Sequence, residues 1–488
     1  TTLADLDAHH PAVTAAVRAR ALADKAVLDT YVGAADGLDQ AEQAVAIARD
    51  VDDPALLARA LTAYGCTASL SYHTEVARRC FAEAIGLARA VDDQWRLSQI
   101  LAEQARGAHI AGDPLGIRAA AQEGRDLADA IGDESNSRMC RFYLGMAQLL
   151  IGDDLAGAAA QLGEVAAEGE AAHDEMLRVM SLGGQSLALA YRGEAAAARA
   201  AAEAILDGGA ELGGRFAAFA PVVAGFAALA AGDGAAAHEA REAALQYPIV
   251  VSGGAAALQR IWNAEAALAG RDLTAARRWA DETVSTTTGW WLMWTLSVRA
   301  RVAIAQGEPE QAERDAHDAL ARAADIAVHL PIPDILECLA TLAGQDDSRR
   351  EAARLFAAAE SIRQGMGMVR FKIHDAGYEA STAALRDALD QNDFQAAWAE
   401  GAALSTEEAI AYAQRGRGQR KRPATGWASL TPTERQVVQL LSEGLANNDI
   451  AARLFVSPRT VQTHLTHVYT KLGLTSRVQL VQEAARHA

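Results

Sequence analysis

The sequence predicts an all-α chain: a superhelical array of ~40-residue helix-pair repeats, followed by a small four-helix domain. Three observations predict it. Of 488 residues 116 are Ala, the best helix former and a residue depleted in strands, while only 5 % are aromatic. A Gly followed closely by an acidic residue recurs at near-constant spacing through the first 350 residues. From Leu430 onward alanine thins out and helix start and stop signals become crisp. With 51 % hydrophobic residues, disorder is excluded.

The repeat is read from Gly112-Asp113, Gly152-Asp153, Gly193-Glu194, Gly232-Asp233, Gly270 with Asp272, Gly307-Glu308 and Gly344 with Asp346, at intervals of 40, 41, 39, 38, 37 and 37 residues. A second turn signal lies between them at Asp52-Asp53, Asp92-Asp93, Asp133-Glu134 and Asp174-Glu175. Each unit is thus two helices of about 15 residues and two short turns. The Gly supplies the left-handed conformation that ends one helix, and the acid opens the next, where the macrodipole favours it. Five residues after the Gly, Gly157, Ala198, Ala237, Ala275 and Ala312 are small and let two helices approach closely. Extrapolation places earlier turns near Ser71 and Asp36, for eight or nine units. These pairs resemble tetratricopeptide repeats in their longer form, which stack because no pair can bury its apolar stripe alone.

Three features inside the array need separate readings. Residues 216–232 carry no charge, but with eight alanines and Pro221 they are too short and too weakly apolar to span a bilayer and are expected as a buried helix. Trp262, Trp279, Trp290, Trp291 and Trp294 are five of the eight tryptophans; they either fill gaps between units or line a ligand or partner pocket on the inner face. Cys66, Cys80, Cys140 and Cys338 form no C-x-x-C pair and are expected as buried, reduced thiols of a cytoplasmic protein.

Catalytic signatures are missing. None of the four lysines (Lys25, Lys372, Lys421, Lys471) follows a Gly-x-x-x-x-Gly, and no H-E-x-x-H, G-x-S-x-G, EF-hand loop or G-x-G-x-x-G is present. Paired acids such as Asp346-Asp347 fall at turns and read as helix caps. No enzyme activity, metal or cofactor is expected.

The C-terminal segment reads as four helices. Thr431 is the expected N-cap of the first, with Pro432 at N1 and Glu434 closing a capping box, and the helix stops at Gly444. Asn447 is expected to cap a second helix running to Leu454, and Ser457 a third with Pro458 at N1. In the third, Val461, Leu465, Val468 and Leu472 share one narrow face. Gly473 ends it, and Thr475-Ser476-Arg477 starts a fourth carrying Val478, Leu480, Val481 and Ala484. Short helix, tight turn, longer helix is a helix-turn-helix, whose second member enters the major groove. Arg459, Thr463, Thr466 and Thr470 point away from the buried face, flanked by Gln462 and His467. Gln can bond adenine and Thr can meet a base edge or a thymine methyl. Arg453, Arg459, Lys471, Arg477 and the amides at Ser457 are placed for phosphates.

Leu430-Thr431, Glu434, Gly444-Leu445, Asn447, Ile450-Ala451, Leu454, Ser457, Thr460-Val461, His464, Lys471-Leu472-Gly473 and Ser476-Arg477 together resemble the signature of the LuxR-type DNA-binding domain. The resemblance implies base contacts at Gln462, Thr463 and Thr466, backbone contacts at Thr460 and Lys471, and a dimer contact through Val478 and Val481. Many relatives carry Lys where this chain has Asn448, Gln462 and Thr466, so their operators do not transfer. The stretch 383–412, with Phe394, Ala397-Trp398, Glu400-Gly401 and Leu404 to Ala409, resembles the segment preceding that domain in the large ATP-binding LuxR-type regulators. Those carry an N-terminal nucleotidase, sometimes a cyclase; a chain opening on Thr1 is expected to be either a piece of such a protein or a member without one.

The expected organisation is a repeat superhelix over 1–364, a helical cap over 365–412, a basic flexible linker over 413–427 and the LuxR-type domain over 428–488. The linker run Arg415 to Arg422 is either a tether or an arm adding phosphate contacts, Arg420 and Arg422 among them. With 11 basic and 4 acidic residues, 413–488 carries +7, which leaves 34 basic and 59 acidic, −25, in 1–412. The acidic array would repel DNA and could compete for the basic tail. Function follows as an expectation: a bacterial DNA-binding transcription regulator, a homodimer on double-stranded DNA, whose array senses a small-molecule or protein signal. The alternatives are an interaction scaffold with a silent DNA-binding domain, or the regulatory part of a longer nucleotidase or cyclase protein.

Overall fold

In the computed structural model, residues 14–31, 36–206, 212, 218–247, 254–415, 426–427, 430, 432–442, 444–454, 458–474 and 476–486 are described. They contain helices and no strand. The chain divides into two compact units, Thr1–Ile410 and Ala411–Ala488.

The first unit holds nine successive helix pairs among the described residues. They are α1 and α2 (Ala15–Tyr31, Gly37–Arg49), α3 and α4 (Pro54–Leu70, Thr74–Ala90), α5 and α6 (Gln94–Ala111, Pro114–Ile131), and α7 and α8 (Glu134–Ile151, Leu155–Ala171). There follow α9 and α10 (Glu175–Tyr191, Ala195–Glu203), α11 and α12 (Phe219–Ala231, Gly234–Leu245), and α13 and α14 (Gly254–Ala269, Leu273–Val284). The last two pairs are α15 and α16 (Gly289–Gln306, Pro309–Asp325) and α17 and α18 (Ile332–Gln345, Arg349–Gly365). A 3₁₀ turn, Lys372–His374, then leads to α19 to α21 (Asp375–Ala388, Gln391–Ala402, Thr406–Arg415).

The left-handed Gly and the capping acid occur together at the Gly112 and Gly232 turns, and one or both shift at the other five. Gly112, Gly152, Gly193, Gly232 and Gly307 are left-handed, with φ from +73° to +79°. At the other two signals the left-handed residue is Arg271 and Asp347 instead of Gly270 and Gly344, which lies inside α17. Asp113, Asp233 and Asp272 accept from the amide three residues on, at 2.9 to 3.0 Å. Glu194 and Glu308 make no such cap; the longer side chain overshoots its own helix start. At the Gly152 turn the cap is Asp154, not Asp153, which pairs with Arg118 of the preceding unit. Of the five small residues, Ala198, Ala237 and Ala312 are fully buried, as close helix packing requires, whereas Gly157 and Ala275 are half-buried. The uncharged run 216–232 contributes α11, whose residues 220–230 are mostly buried; among the described residues no helix is long and apolar enough to cross a membrane.

The array closes on itself at a fixed register. Gly112 accepts from the Trp290 amide at 3.0 Å, Ile151 from the His329 amide at 2.9 Å and Tyr191 from the Val369 amide at 2.7 Å, each pair 178 positions apart. That separation is between four and five repeats. Carbonyls left open at the ends of α5, α7 and α9 are thus satisfied by amides a full turn further along. The fit at the first contact is tight enough to demand glycine: a Cβ on Gly289 would stand 2.3 Å from the Gly112 carbonyl oxygen.

Beneath this seam lie the tryptophans. Trp262, Trp290, Trp291 and Trp294 are each under 8 % exposed. Trp290 lies tilted against Trp291 and stacked on Trp294, with centroids 3.9 and 5.3 Å apart, and Phe226 touches Trp262 and Trp294. Gly225 faces the Trp262 ring, whose carbons a Cβ would approach to 2.0 Å. Trp291 Nε1 donates to the His109 carbonyl across the seam at 3.3 Å. Trp279 stands apart, half-buried, with the Arg278 guanidinium over its ring. Four of the five rings therefore occupy one another's contact surface and form core rather than the wall of an open groove.

A buried ionic chain ties the later repeats together, and nothing in the local spacing signals it because its partners are 26 to 36 residues apart. Glu265 on α13 pairs with Arg301 on α15; Arg363 on α18 bonds Asp334 at 2.8 Å and Glu337 at 2.6 Å on α17; Glu337 also receives Arg370. Burial opposes ionisation of Asp334, yet the Arg363 and Arg301 guanidiniums hold its carboxyl below the usual range. All four cysteines are buried and free.

Candidate nucleic-acid interface

The second unit is built from α22 (Pro432–Ser442), α23 (Asn447–Leu454), α24 (Pro458–Leu472) and α25 (Arg477–Arg486). Its core includes the face that the periodicity marks on α24: Val461, Leu465 and Val468 meet Val437, Val438 and Leu441 of α22, Ile450 and Ala451 of α23, and Leu480 of α25. Leu472 and Val481 pack partly against that core. With one face of α24 used up in this way, the opposite face is left to solvent, where Gln462, Thr466 and Thr470 are exposed.

On that face the hydroxyls are already oriented. Thr466 Oγ1 donates to the Gln462 carbonyl and Thr470 Oγ1 to the Thr466 carbonyl, both at 3.0 Å. Each threonine spends its proton on the helix and presents lone pairs and a methyl group outward. Gln462 is held from the side: Asn447 Nδ2 donates to its Oε1 at 3.0 Å. The N-cap expected at Asn447 is found one residue earlier. There the Ala446 carbonyl takes the Asp449 and Ile450 amides, and this releases the Asn447 side chain to bridge α23, α24 and α25.

Two cations expected at phosphates have partners within the unit. Lys471 Nζ lies 2.8 Å from Glu434, whose side chain is 3 % exposed. Arg477 donates to Asn447 Oδ1 at 3.1 Å and to the Leu445 carbonyl. The sequence does not reveal these uses, because partners 37 and 30 residues apart leave no local pattern. Asn448 and Arg453 are exposed on α23. Arg459, Thr460, Thr463 and His467 lie on α24 and Val478 on α25, but their side chains, like Ser457, Arg420 and Arg422, lie outside the described residues. At the other end of α24, the Gly426 amide donates to the Lys471 carbonyl at 2.7 Å and so ties the entering chain to the helix terminus. Among the described residues no group of His, Cys, Asp and Glu is arranged to hold a metal.

Residues 428–484 match the bacterial regulatory proteins of the luxR family. Over 99 % of its length the chain is 54 % identical to the "Putative HTH-type transcriptional regulator Rv0890c" of Mycobacterium tuberculosis strain H37Rv, and equally to its Mycobacterium bovis counterpart. It spans about half, 55 %, of the length of these curated relatives. Over 57 residues, 12 % of this chain and 26 % of the other, it is 44 % identical to the "Oxygen regulatory protein NreC" of Staphylococcus aureus. Among solved structures, the tetratricopeptide domain of P58(IPK) aligns over 78 % of this chain and 100 % of its own at 14 % identity, with a TM-score of 0.21, too loose a likeness to carry an argument.

Proposed function

We propose, from the premise that this chain carries a LuxR-family helix-turn-helix domain at its C-terminus, that it is a DNA-binding transcription regulator. The observation that carries the reading is the division of α24 into a buried face of Val461, Leu465 and Val468 and an exposed face of Gln462 and Thr466. A helix with one face fixed to the domain and the other polar and solvated is what major-groove reading needs. In this reading Gln462, Thr463 and Thr466 meet bases. Asn448, Ser457, Arg459 and Thr460 meet the backbone together with the linker cations Arg420 and Arg422, and Val478 with Val481 supplies a homodimer contact. Lys471 and Arg477 act chiefly within the domain, for the partners described above.

The repeat array is the signal-receiving part in this proposal, for a small molecule or a partner protein. Its support is the 178-residue seam, with the aromatic core beneath it, which brings distant repeats into contact. An effector that binds one closure of the seam better than another would shift the equilibrium between them.

The test is binding of the whole chain to the DNA upstream of its own gene and to random duplexes, by fluorescence anisotropy at several salt concentrations. Preference for the first is expected, with Gln462→Ala and Thr463→Ala each reducing it. Equal affinity for both DNAs, unchanged by the two substitutions, would overturn the base-reading assignment. Removing residues 415–422 is expected to flatten the dependence of log K on log salt by roughly 0.9 for each phosphate that is no longer neutralised.

A further inference from the structure

Gln462 is exposed on α24, and in the reading above it faces a base edge. A glutamine amide can present either end: its oxygen accepts, its nitrogen donates, and a side chain free to place both beside a base recognises adenine. What it presents here is decided by a residue that need not touch DNA.

The orientation is set by a short chain of hydrogen bonds whose direction chemistry leaves no choice about. Arg477 has only N–H donors, so the Asn447 atom 3.1 Å from its Nη1 must be the amide oxygen. The other end of Asn447 is then Nδ2, which can only donate. Its partner 3.0 Å away on Gln462 must therefore be the acceptor, Oε1. Arg477 is itself anchored on the Leu445 carbonyl, so the chain starts on fixed backbone. The Gln462 oxygen is turned toward the protein and its Nε2, with two N–H donors, is turned away.

We infer that Asn447 is a specificity-determining residue: by holding the Gln462 oxygen it makes Gln462 a hydrogen-bond donor that selects bases with major-groove acceptors. Guanine, with O6 and N7 side by side, satisfies both donors; thymine O4 and adenine N7 satisfy one; cytosine presents its amino donor and is rejected. One turn along, Thr466 has spent its proton on the helix and offers only lone pairs and a methyl. The two outward positions are thereby opposite in polarity. This inference rests on the DNA-reading assignment proposed above, and it adds a residue, Asn447, and a direction of base preference.

The experiment is selection of bound duplexes from a randomised pool by the whole chain, followed by sequencing. The wild type is expected to enrich guanine about tenfold over cytosine at the position that loses all preference in Gln462→Ala. Asn447→Asp keeps an acceptor for Arg477 but replaces the donor facing Gln462 by an acceptor; the Gln462 amide must then turn its nitrogen inward. Its oxygen comes to face the DNA, and the preference should switch to the amino-bearing bases cytosine and adenine. Asn447→Ala, which removes the hold altogether, should instead admit adenine beside guanine through the unconstrained amide. Circular dichroism of both variants verifies that they fold, and if one does not, the other still decides. The same enriched base in the wild type and in the folded Asn447 variants, or a uniform loss of enrichment at every position, would overturn the role of Asn447. If the wild type enriches no sequence, the DNA-reading assignment fails as well, a result distinct from either of these.

Discussion

Lys471 and Glu434 face each other across the second unit with Nζ 2.8 Å from a carboxylate that is almost wholly buried. The pair joins the start of α22 to the end of α24, so it fixes the tilt of the helix whose outer face is proposed to read DNA. Its chemistry is that of a structural ion pair: removing one member strands the other's charge in a poorly solvated site, at a cost of about 3 kcal/mol.

Lys471→Met should therefore loosen the domain before it affects phosphate binding. The measurement is amide hydrogen exchange of residues 458–472 in the whole chain, expected to accelerate by roughly a hundredfold, since each 1.4 kcal/mol is a factor of ten. Unchanged exchange together with weaker DNA binding would move Lys471 back to the phosphates.

Gly289→Ala, at the seam, is expected to be costly, and Gly307→Ala, at the far end of the same helix, mild. Both glycines are left-handed, with φ of +55° and +73°. A Cβ at Gly307 meets nothing within 4 Å, whereas at Gly289 it collides with the Gly112 and Ala111 carbonyls. The Gly307 substitution should cost the conformational penalty alone, about 1 kcal/mol; the Gly289 substitution should add an overpacking cost of about 1–3 kcal/mol. Comparison of the two melting curves checks this, and equal shifts would mean that the seam opens freely.

Asp233→Ala should lower stability by about 1 kcal/mol through loss of the bond to the Ala236 amide, whereas Glu308→Ala, at a similar turn, has no cap bond to lose and gives up only a partly exposed ion pair with Arg277, so it should cost less. Chemical denaturation of the two variants distinguishes them.

Acid sensitivity is expected from His109. Burial lowers its imidazole to about 4, and its Nδ1 has no hydrogen-bond partner among the described residues, so the folded protein keeps it neutral. The unfolded chain takes up a proton near the ordinary value of about 6.5 while the folded one does not. The unfolded state thus binds more protons between these values, and the contribution to stability, present above about 6.5, is lost as pH falls toward about 4. His109→Gln should reduce the pH slope of the unfolding free energy in that window by close to one proton. An unaltered slope would place the acid sensitivity elsewhere.

The extent to which all this is legible in the sequence depends on distance along the chain. Helix pairs, turns and the four-helix domain rest on neighbours within about four residues, and Gly112, Gly232, Pro432 and Gly473 mark their ends directly. The buried stripe of α24 is legible for the same reason, as are the exposed Gln462 and Thr466. Contacts between remote partners are not: Trp290 with Gly112, Arg363 with Glu337, Lys471 with Glu434. The tryptophans illustrate the limit. Their clustering is visible, but whether a ring lines a groove or fills a core depends on what the next turn of the array brings against it. Asn447 misleads in the opposite way, since a residue type that favours N-caps is recruited here for a longer-range bond.

The register of 178 positions has an evolutionary side. A linear stack of repeats can gain or lose a whole unit and keep every neighbour contact, which is how such proteins commonly vary in length. Here a unit inserted anywhere between Gly112 and Val369 would shift at least one seam partner by about 40 residues, and one inserted between 191 and 290 would shift all three at once. Variation in size is thereby expected at the ends of the array, with its middle retained as one block.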